Sequence, residues 1–207
     1  FCAPVFVFLA GTSAFLVGER KTKKELSVFL MKRGLWLVFL ELTIIGLAWS
    51  FNPAFPFFRL QVIWVLGICM VILGVLVYLP PKLILAIGLL ILVGHNLLDT
   101  IHVKGNSFSD FIWALLHQPK RFLFEDRKIA IGYPIIPWLG IMLLGYSAGQ
   151  LYKKGMDALM RRKYLLMIGS GAILLFLLLR GINRYGDMAP WAQQGTFIMS
   201  ICSFLKV

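Results

Sequence analysis

The run Gly34–Phe51, GLWLVFLELTIIGLAWSF, decides how the rest of the chain is read. Its 18 residues carry one charge, Glu41, and no proline. A helix rises about 1.5 Å per residue, and a membrane span needs roughly 17–25 apolar residues, so this run is long enough to cross a bilayer. Comparable runs flank it at Phe1–Val17, Leu60–Leu79, Leu83–Leu98, Tyr133–Tyr152, Tyr164–Leu179 and Thr196–Val207. In lipid every backbone amide must find its partner inside its own segment, which predicts helices throughout. The expected fold is an all-α, polytopic integral membrane helix bundle forming a single domain over residues 1–207. Five spans are complete, at about 34–51, 60–79, 83–98, 133–152 and 164–179, and two are truncated, at about 1–17 and 196–207. The two 16-residue runs borrow their last turns from Lys82 and Asp99, and from Lys163 and Arg180, whose polar heads reach the interface.

Composition agrees. Of 207 residues, 59% are hydrophobic and 14% charged, whereas ordinary globular chains carry about 25% charged residues. That balance excludes soluble enzymes and secreted disulfide scaffolds and makes the lipid bilayer the first partner. The net charge of +12 sits in short clusters between apolar runs, not on a polar face with stacking aromatics, so no nucleic acid is expected. Loops 18–33, 80–82 and 153–163 hold 12 of the 21 basic residues in 30 positions, while loops 52–59, 99–132 and 180–195 hold 8 in 58. The alternation fits six successive crossings and assigns the first set to the cytoplasmic side. Both termini fall inside apolar runs, so the chain reads as an internal piece of a longer membrane protein. Cys2, Cys69 and Cys202 lack CxxC spacing and read as small buried hydrophobes.

The loop 99–132 contains Ser107–Gln118, SFSDFIWALLHQ, whose Phe108, Phe111, Ile112, Leu115 and Leu116 recur at helical spacing. A short helix in the outer interface, at about 107–118, is expected. Breakers at Asn52-Pro53, Pro80-Pro81 and Gly186 with Pro190 mark turns, and Pro134 and Pro137 occupy a helix's first turn. Gly145 and Gly149 permit close packing of helices.

Polar residues in or beside spans need a reason, because a charge at a span's centre costs about 2.5–3.5 kcal/mol on insertion scales. Glu41 lies eight residues into its run, near the expected midplane, as a buried acid or as a protonated partner in an interhelical hydrogen bond. His95 and Asp99 are four apart and share a helical face, where a carboxylate fixes the imidazole tautomer for general-base work. Asn96 lies beside them, and His102 extends the set to a candidate two-histidine, one-carboxylate metal site, with a plain hydrogen-bond network as the alternative. Arg180, Asn183 and Asp187 share a face if their helix runs on, and with Tyr185 and Trp191 they suit a carbohydrate or phosphate contact; an aromatic belt is the other reading. Gln61 and Trp138 add polar and aromatic groups at outer helix ends.

Six stretches in order carry a resemblance: Phe1–Ala14 (FCAPVFVFLAGTSA), Leu60–Trp64 (LQVIW), His95–Asp99 (HNLLD), Tyr133–Trp138 (YPIIPW), Gly145-Tyr146 and Arg180–Trp191 (RGINRYGDMAPW). The chain resembles the bacterial membrane proteins related to the catalytic domain of heparan-α-glucosaminide N-acetyltransferase. The resemblance implies a transmembrane acyltransferase of the bacterial inner membrane, using acetyl-CoA as donor, a sugar-type acceptor outside the cytoplasm and no metal. It also implies that a principal catalytic histidine lies upstream of Phe1; beside it, from the reading of the residues themselves, His95 and Asp99 are expected in support and Glu41, Gln61, Asn96, Trp138, Arg180, Asn183 and Asp187 binding substrate. A homo-oligomer is compatible with this reading. The rivals are a transporter or flippase with Glu41 as its coupling acid, and a membrane metal-dependent hydrolase built on His95, Asp99 and His102.

Overall fold

The computed structural model describes residues 2–52, 57–102, 105–124, 127–183 and 191–205, and it divides into two compact units, Phe1–Lys153 and Lys154–Val207. Unit 1 opens with α1 (Cys2–Gly18) and α2 (Lys23–Leu40). Thr22 starts α2 through a capping box: its side chain accepts from the Glu25 amide while the Glu25 carboxylate accepts from the Thr22 amide. At Glu41–Ile45 the helix widens into a π turn, then resumes as α3 (Gly46–Ser50). Next come β1 (Phe57–Leu60), α4 (Val62–Leu76) and α5 (Pro81–Gly94), and the last passes into a 3-10 turn at His95–Thr100. The unit closes with α6 (Phe108–Leu116), β2 (Lys120–Phe124), β3 (Arg127–Ile131) and α7 (Ile135–Ala148), the last followed by a 3-10 turn at Gly149–Tyr152.

Glycines set the helix pairs. A Cβ on Gly34 would strike the Gly67 carbonyl and one on Gly67 would strike that of Gly34, so α2 and α4 meet backbone to backbone. Gly11 presses on the Met142 carbonyl and Gly145 on that of Phe8, which joins α1 to α7 in the same way. Thr12 Oγ1 donates to the Gly145 carbonyl across that contact at 2.9 Å. In a membrane, where burying apolar surface from lipid gains little, such close approach is the main attraction. Val7, Val65, Cys69, Leu73, Met142 and Leu143 fill the centre and are fully buried. Cys2 and Cys202, expected inside, are exposed.

The contacts also fix direction. Gly34 faces Gly67 while Ser27 and Leu30 face Gly74, so α2 and α4 are antiparallel; Gly88 meets Leu143 while Ile91 meets Gly140, so α5 and α7 are too. Phe8 meets Gly145 and Phe15 meets Gly149, so α1 and α7 run together. Lys23 Nζ donates to the Tyr78 carbonyl at one end of the unit. The opposite end carries a three-stranded sheet of order β1-β3-β2, β1 parallel and β2 antiparallel to β3.

That sheet corrects the all-α expectation. KRFLF and RKIAI lie in the loop 99–132, read for helical spacing, and FFRL straddles the expected loop 52–59 and the first residue, Leu60, of an expected span. A three-stranded sheet does not close on itself, so it is expected outside the hydrocarbon. The expected interfacial helix is present as α6, and its Ala114 packs with Leu60, Phe122 and Ile131 of the sheet.

Among the described residues, three helical segments are long and apolar enough to cross a membrane: Pro81–Thr100, Ile135–Tyr152 and Ala158–Ile182. Cys2–Gly18 and Val62–Leu76 are apolar but shorter, with 17 and 15 residues. The expected span 34–51 falls within the α2–α3 run, and that at 60–79 yields its first residue to β1.

Unit 2 contains α8 (Ala158–Ile182), capped by Asp157 accepting from the Met160 amide, and α9 (Phe197–Leu205). Arg180 ties them together: its Nε donates to the Phe204 carbonyl at 2.8 Å and its Nη2 to that of Ser203 at 3.0 Å. Those carbonyls lie in the last turn of α9, where cationic donors are favoured.

Candidate functional site

The end of unit 1 that carries the sheet gathers most of the residues singled out above. α5 tightens into the 3-10 turn at His95, which changes which side chains share a face. Four residues advance about 40° around an α-helix but about 120° around a 3-10 helix, so His95 and Asp99 part. This corrects the expected His95–Asp99 pair. His95 Nδ1 instead turns back to the Ile91 and Leu92 carbonyls, at 3.1 and 3.0 Å. Carbonyl oxygens only accept, so Nδ1 holds the proton and Nε2 is the basic nitrogen. The tautomer is fixed, by backbone rather than by carboxylate.

Asp99 is paired with His117, which ends the amphipathic stretch of α6 and was not among the residues singled out from the sequence. His117 caps the C-terminus of α6 with its amide on the Trp113 carbonyl, and its Nε2 lies 2.8 Å from Asp99 Oδ1. The ring is buried, stacks at a tilt on Trp113 with centroids 5.6 Å apart, and leaves Nδ1 buried without a partner among the described residues. The His95 and His117 rings meet edge to face, 6.3 Å apart and inclined at 68°. Two imidazoles, each with one nitrogen engaged, therefore stand side by side. The sequence signal for His117 was its place at the end of an amphipathic helix, one turn past Trp113, but its pairing with Asp99 spans 18 positions and no local pattern contains it.

Glu41 is buried and stands level with the start of α4, not midway along it. It opens the π turn and accepts from the Gln61 amide at 3.1 Å. The displacement has a simple cause: the α2–α3 run starts well before Gly34 and continues beyond the point where α4 begins. A carboxylate there also complements the positive N-terminal end of α4. Gln61 is the residue before α4, and the Tyr133 and Trp138 rings pack together near the start of α7 with centroids 4.9 Å apart. Gly132 donates to the Leu60 carbonyl, which brings the starts of α4 and α7 to the same end as the His95 turn. Asn96 is half-buried on that turn.

His102 is exposed and accepts from Gln118 Nε2 at 3.4 Å, away from the His95 and Asp99 pairings. Among the described residues no group of three or more His, Cys, Asp or Glu is placed to hold a metal ion. The set His95, Asp99, His102 is therefore not assembled.

In unit 2 the expected shared face does not form. α8 stops at Ile182, and Asn183 takes a left-handed conformation with φ of 55°. Asn183 Nδ2 donates to the Trp191 carbonyl at 3.0 Å and its Oδ1 accepts from the Trp191 amide at 2.9 Å. Trp191 Nε1 donates in turn to the Arg180 carbonyl at 3.0 Å. Arg180 and Asn183 thus order the backbone of their own unit. Asp187, with Arg184 and Tyr185, lies outside the described residues.

Comparison with known proteins places this arrangement. No curated protein and no solved structure matches the chain. The family described as "Heparan-alpha-glucosaminide N-acetyltransferase, catalytic" matches residues 1–180, which include both units' candidate residues up to Arg180. The apolar helices agree with it in marking an integral membrane protein. With the match covering most of its length, the chain belongs to the heparan-alpha-glucosaminide N-acetyltransferase catalytic family, whose activity is transmembrane acetyl transfer.

Proposed function

We propose that the protein carries an acetyl group from acetyl-CoA, presented on the cytoplasmic side, to an amine or hydroxyl of a sugar-type acceptor outside, and that His95 is a base on the acceptor side. The observation that carries this reading is the fixed tautomer of His95, whose Nε2 lone pair stands beside the Asp99–His117 pair. In the transfer the acceptor heteroatom attacks the acetyl carbonyl, the carbon–sulfur bond breaks with its electron pair leaving on sulfur as thiolate, and the acceptor's proton passes to a base and from there to that thiolate. Asp99 and His117 hold the neighbouring imidazole still, and Trp138, Gln61 and Asn96 supply aromatic and polar surface for the acceptor. Arg180 and Asn183 are occupied with their own backbone, so acceptor contacts are assigned to unit 1. The basic loop 18–33, at the opposite end of unit 1, suits the phosphates of coenzyme A.

The test is acetyl transfer from labelled acetyl-CoA in membranes holding the full-length protein. His95→Gln should lower turnover by about 10²–10⁴-fold, the usual contribution of a positioned base, with acetyl-CoA binding retained. Asp99→Asn should lower it less, since His95 keeps its backbone partners. A full-length protein that binds no acetyl-CoA, but moves a solute with loss on Glu41→Gln, would establish the transporter instead.

A further inference from the structure

The sheet has two faces of opposite character. In-register pairing sets Arg59 and Arg121 on either side of Ala130, and two residues along sets Phe57 and Leu123 on either side of Lys128. Paired residues project to the same side, so Arg59, Arg121 and Lys128 share one face. Leu60, Phe122 and Ile131 project to the other, where they form a core with α6. All three cations are exposed, and among the described residues none forms an ion pair.

Three further features distinguish this face from a solvated basic surface. Arg59 is held in place, its guanidinium stacked over Trp49 at 5.1 Å and over Phe57 at 5.0 Å. The small side chain of Ala130 leaves the floor between the two arginines open. The face borders a cavity of about 1250 Å³ that reaches Gln61 and Tyr133 and has no acidic residue among its described lining. On the proposed topology these cations lie on the translocated side, where positive charge works against insertion. They need a compensating use.

The geometry points to a site for the phosphate or diphosphate of a phosphorylated sugar, gripped between Arg59 and Arg121 above Ala130 with Lys128 adding charge. Strands on either side of a central one are about 9–10 Å apart, a gap two arginines close around a single diphosphate. The guanidinium fork matches tetrahedral oxyanions in a way that a lysine point charge does not. A concave site with Phe57 and Tyr133 in its wall fits a sugar ring beside the phosphate better than it fits the flat array of bilayer headgroups. Calling this ligand the acceptor rests on the acetyltransferase reading; the anion site itself does not.

The experiment uses the full-length protein in phosphatidylcholine nanodiscs with labelled pyrophosphate and, separately, glucosamine 1-phosphate as probes. Both should bind saturably. Arg59→Gln with Arg121→Gln should weaken each about tenfold or more, and Arg59→Lys with Arg121→Lys should recover only part of the loss. Ala130→Phe, which fills the floor with every cation kept, should also weaken binding, whereas Lys82→Gln, at the exposed start of α5 at the other end of the unit, should not. Unchanged binding by the double glutamine variant overturns the site. So does binding that vanishes when phosphatidylglycerol enters the nanodisc, because the face then takes lipid headgroups. A protein that binds both probes through these arginines yet transfers no acetyl group keeps the site and loses the acetyltransferase reading.

Discussion

What a histidine does depends on what its second nitrogen touches. Sequence spacing offered His95 a carboxylate four residues on, and the 3-10 turn withdrew it, leaving the Ile91 and Leu92 carbonyls to orient the ring. Asp99 went to His117. Glu41 follows the same logic: its burial was legible, because a lone acid in an 18-residue apolar run must be hidden, but its partner is a backbone amide set by how far α2 and α4 are offset. Replacing Glu41 by Leu removes the acceptor for the Gln61 amide and should cost about 1–3 kcal/mol, the price of an unmatched polar group. Glu41→Gln keeps an acceptor and should cost less. Thermal unfolding of the purified protein in detergent separates the two; equal melting temperatures for both variants would show that the Gln61 contact contributes nothing.

Among the elements, helices were readable from hydropathy and strands were not. A helix announces itself through a long run, whereas FFRL, KRFLF and RKIAI are too short to outweigh the apolar segments around them. Gly145 and Gly149 were recognisable as packing positions, but that Gly34 meets Gly67 depends on the partner helix. Gly67→Leu should therefore act on the α2–α4 pair, forcing apart backbones that now touch, with a loss of about 1–3 kcal/mol or more as for an overpacked core. A melting curve matching the parent protein would contradict the contact. The start of α6 gives a pH-dependent case. Ser107 donates to the Asp110 carboxylate from both its hydroxyl, at 2.6 Å, and its amide, at 3.0 Å, and these bonds hold the carboxyl below the usual aspartate range. Its stabilising effect is complete above the ordinary carboxylate pKa and is lost as pH falls through the depressed one. Protection of the α6 amides, taken relative to the intrinsic exchange rate at each pH, should fall in acid, and Ser107→Ala should lower it already at neutral pH; identical protection in both proteins at neutral pH would remove the capping box as a cause.

At the scale of the whole molecule, the basic loops foretold more than any motif. Charge counting required successive helices to reverse direction, and the pairs α2 with α4 and α5 with α7 are antiparallel while α1 and α7 run together, as odd-numbered crossings should. By the same count, loops 18–33, 80–82 and 153–163 are proposed to face the cytoplasm. In a background with Cys2, Cys69 and Cys202 replaced, a cysteine at Lys24 should be labelled by an impermeant maleimide only after the cytoplasmic side is opened, and one at Ser109 without opening it. The reverse pattern would invert the topology and move the His95 turn indoors. Unit boundaries and the role of Arg180 were beyond reach, because a basic residue at a span's end reads as an anchor whether or not a neighbouring helix claims it.

The parallel pairing of β1 with β3 bears on how the protein is made. β1 emerges first, yet its register partner cannot arrive until α4, α5, α6 and β2 have been synthesised, with Phe57 waiting for Lys128. Pairings of long sequence separation form late because the intervening loop must be closed first. The β2–β3 hairpin is local, so the β1–β3 pairing alone is expected to be the closing stitch, drawn after the helices between those two strands. Until then β1 presents an open edge of the kind that invites pairing with other chains. Damage to α4 or α5 should therefore surface first as exposed β1 outside the hydrocarbon, some distance from the fault itself.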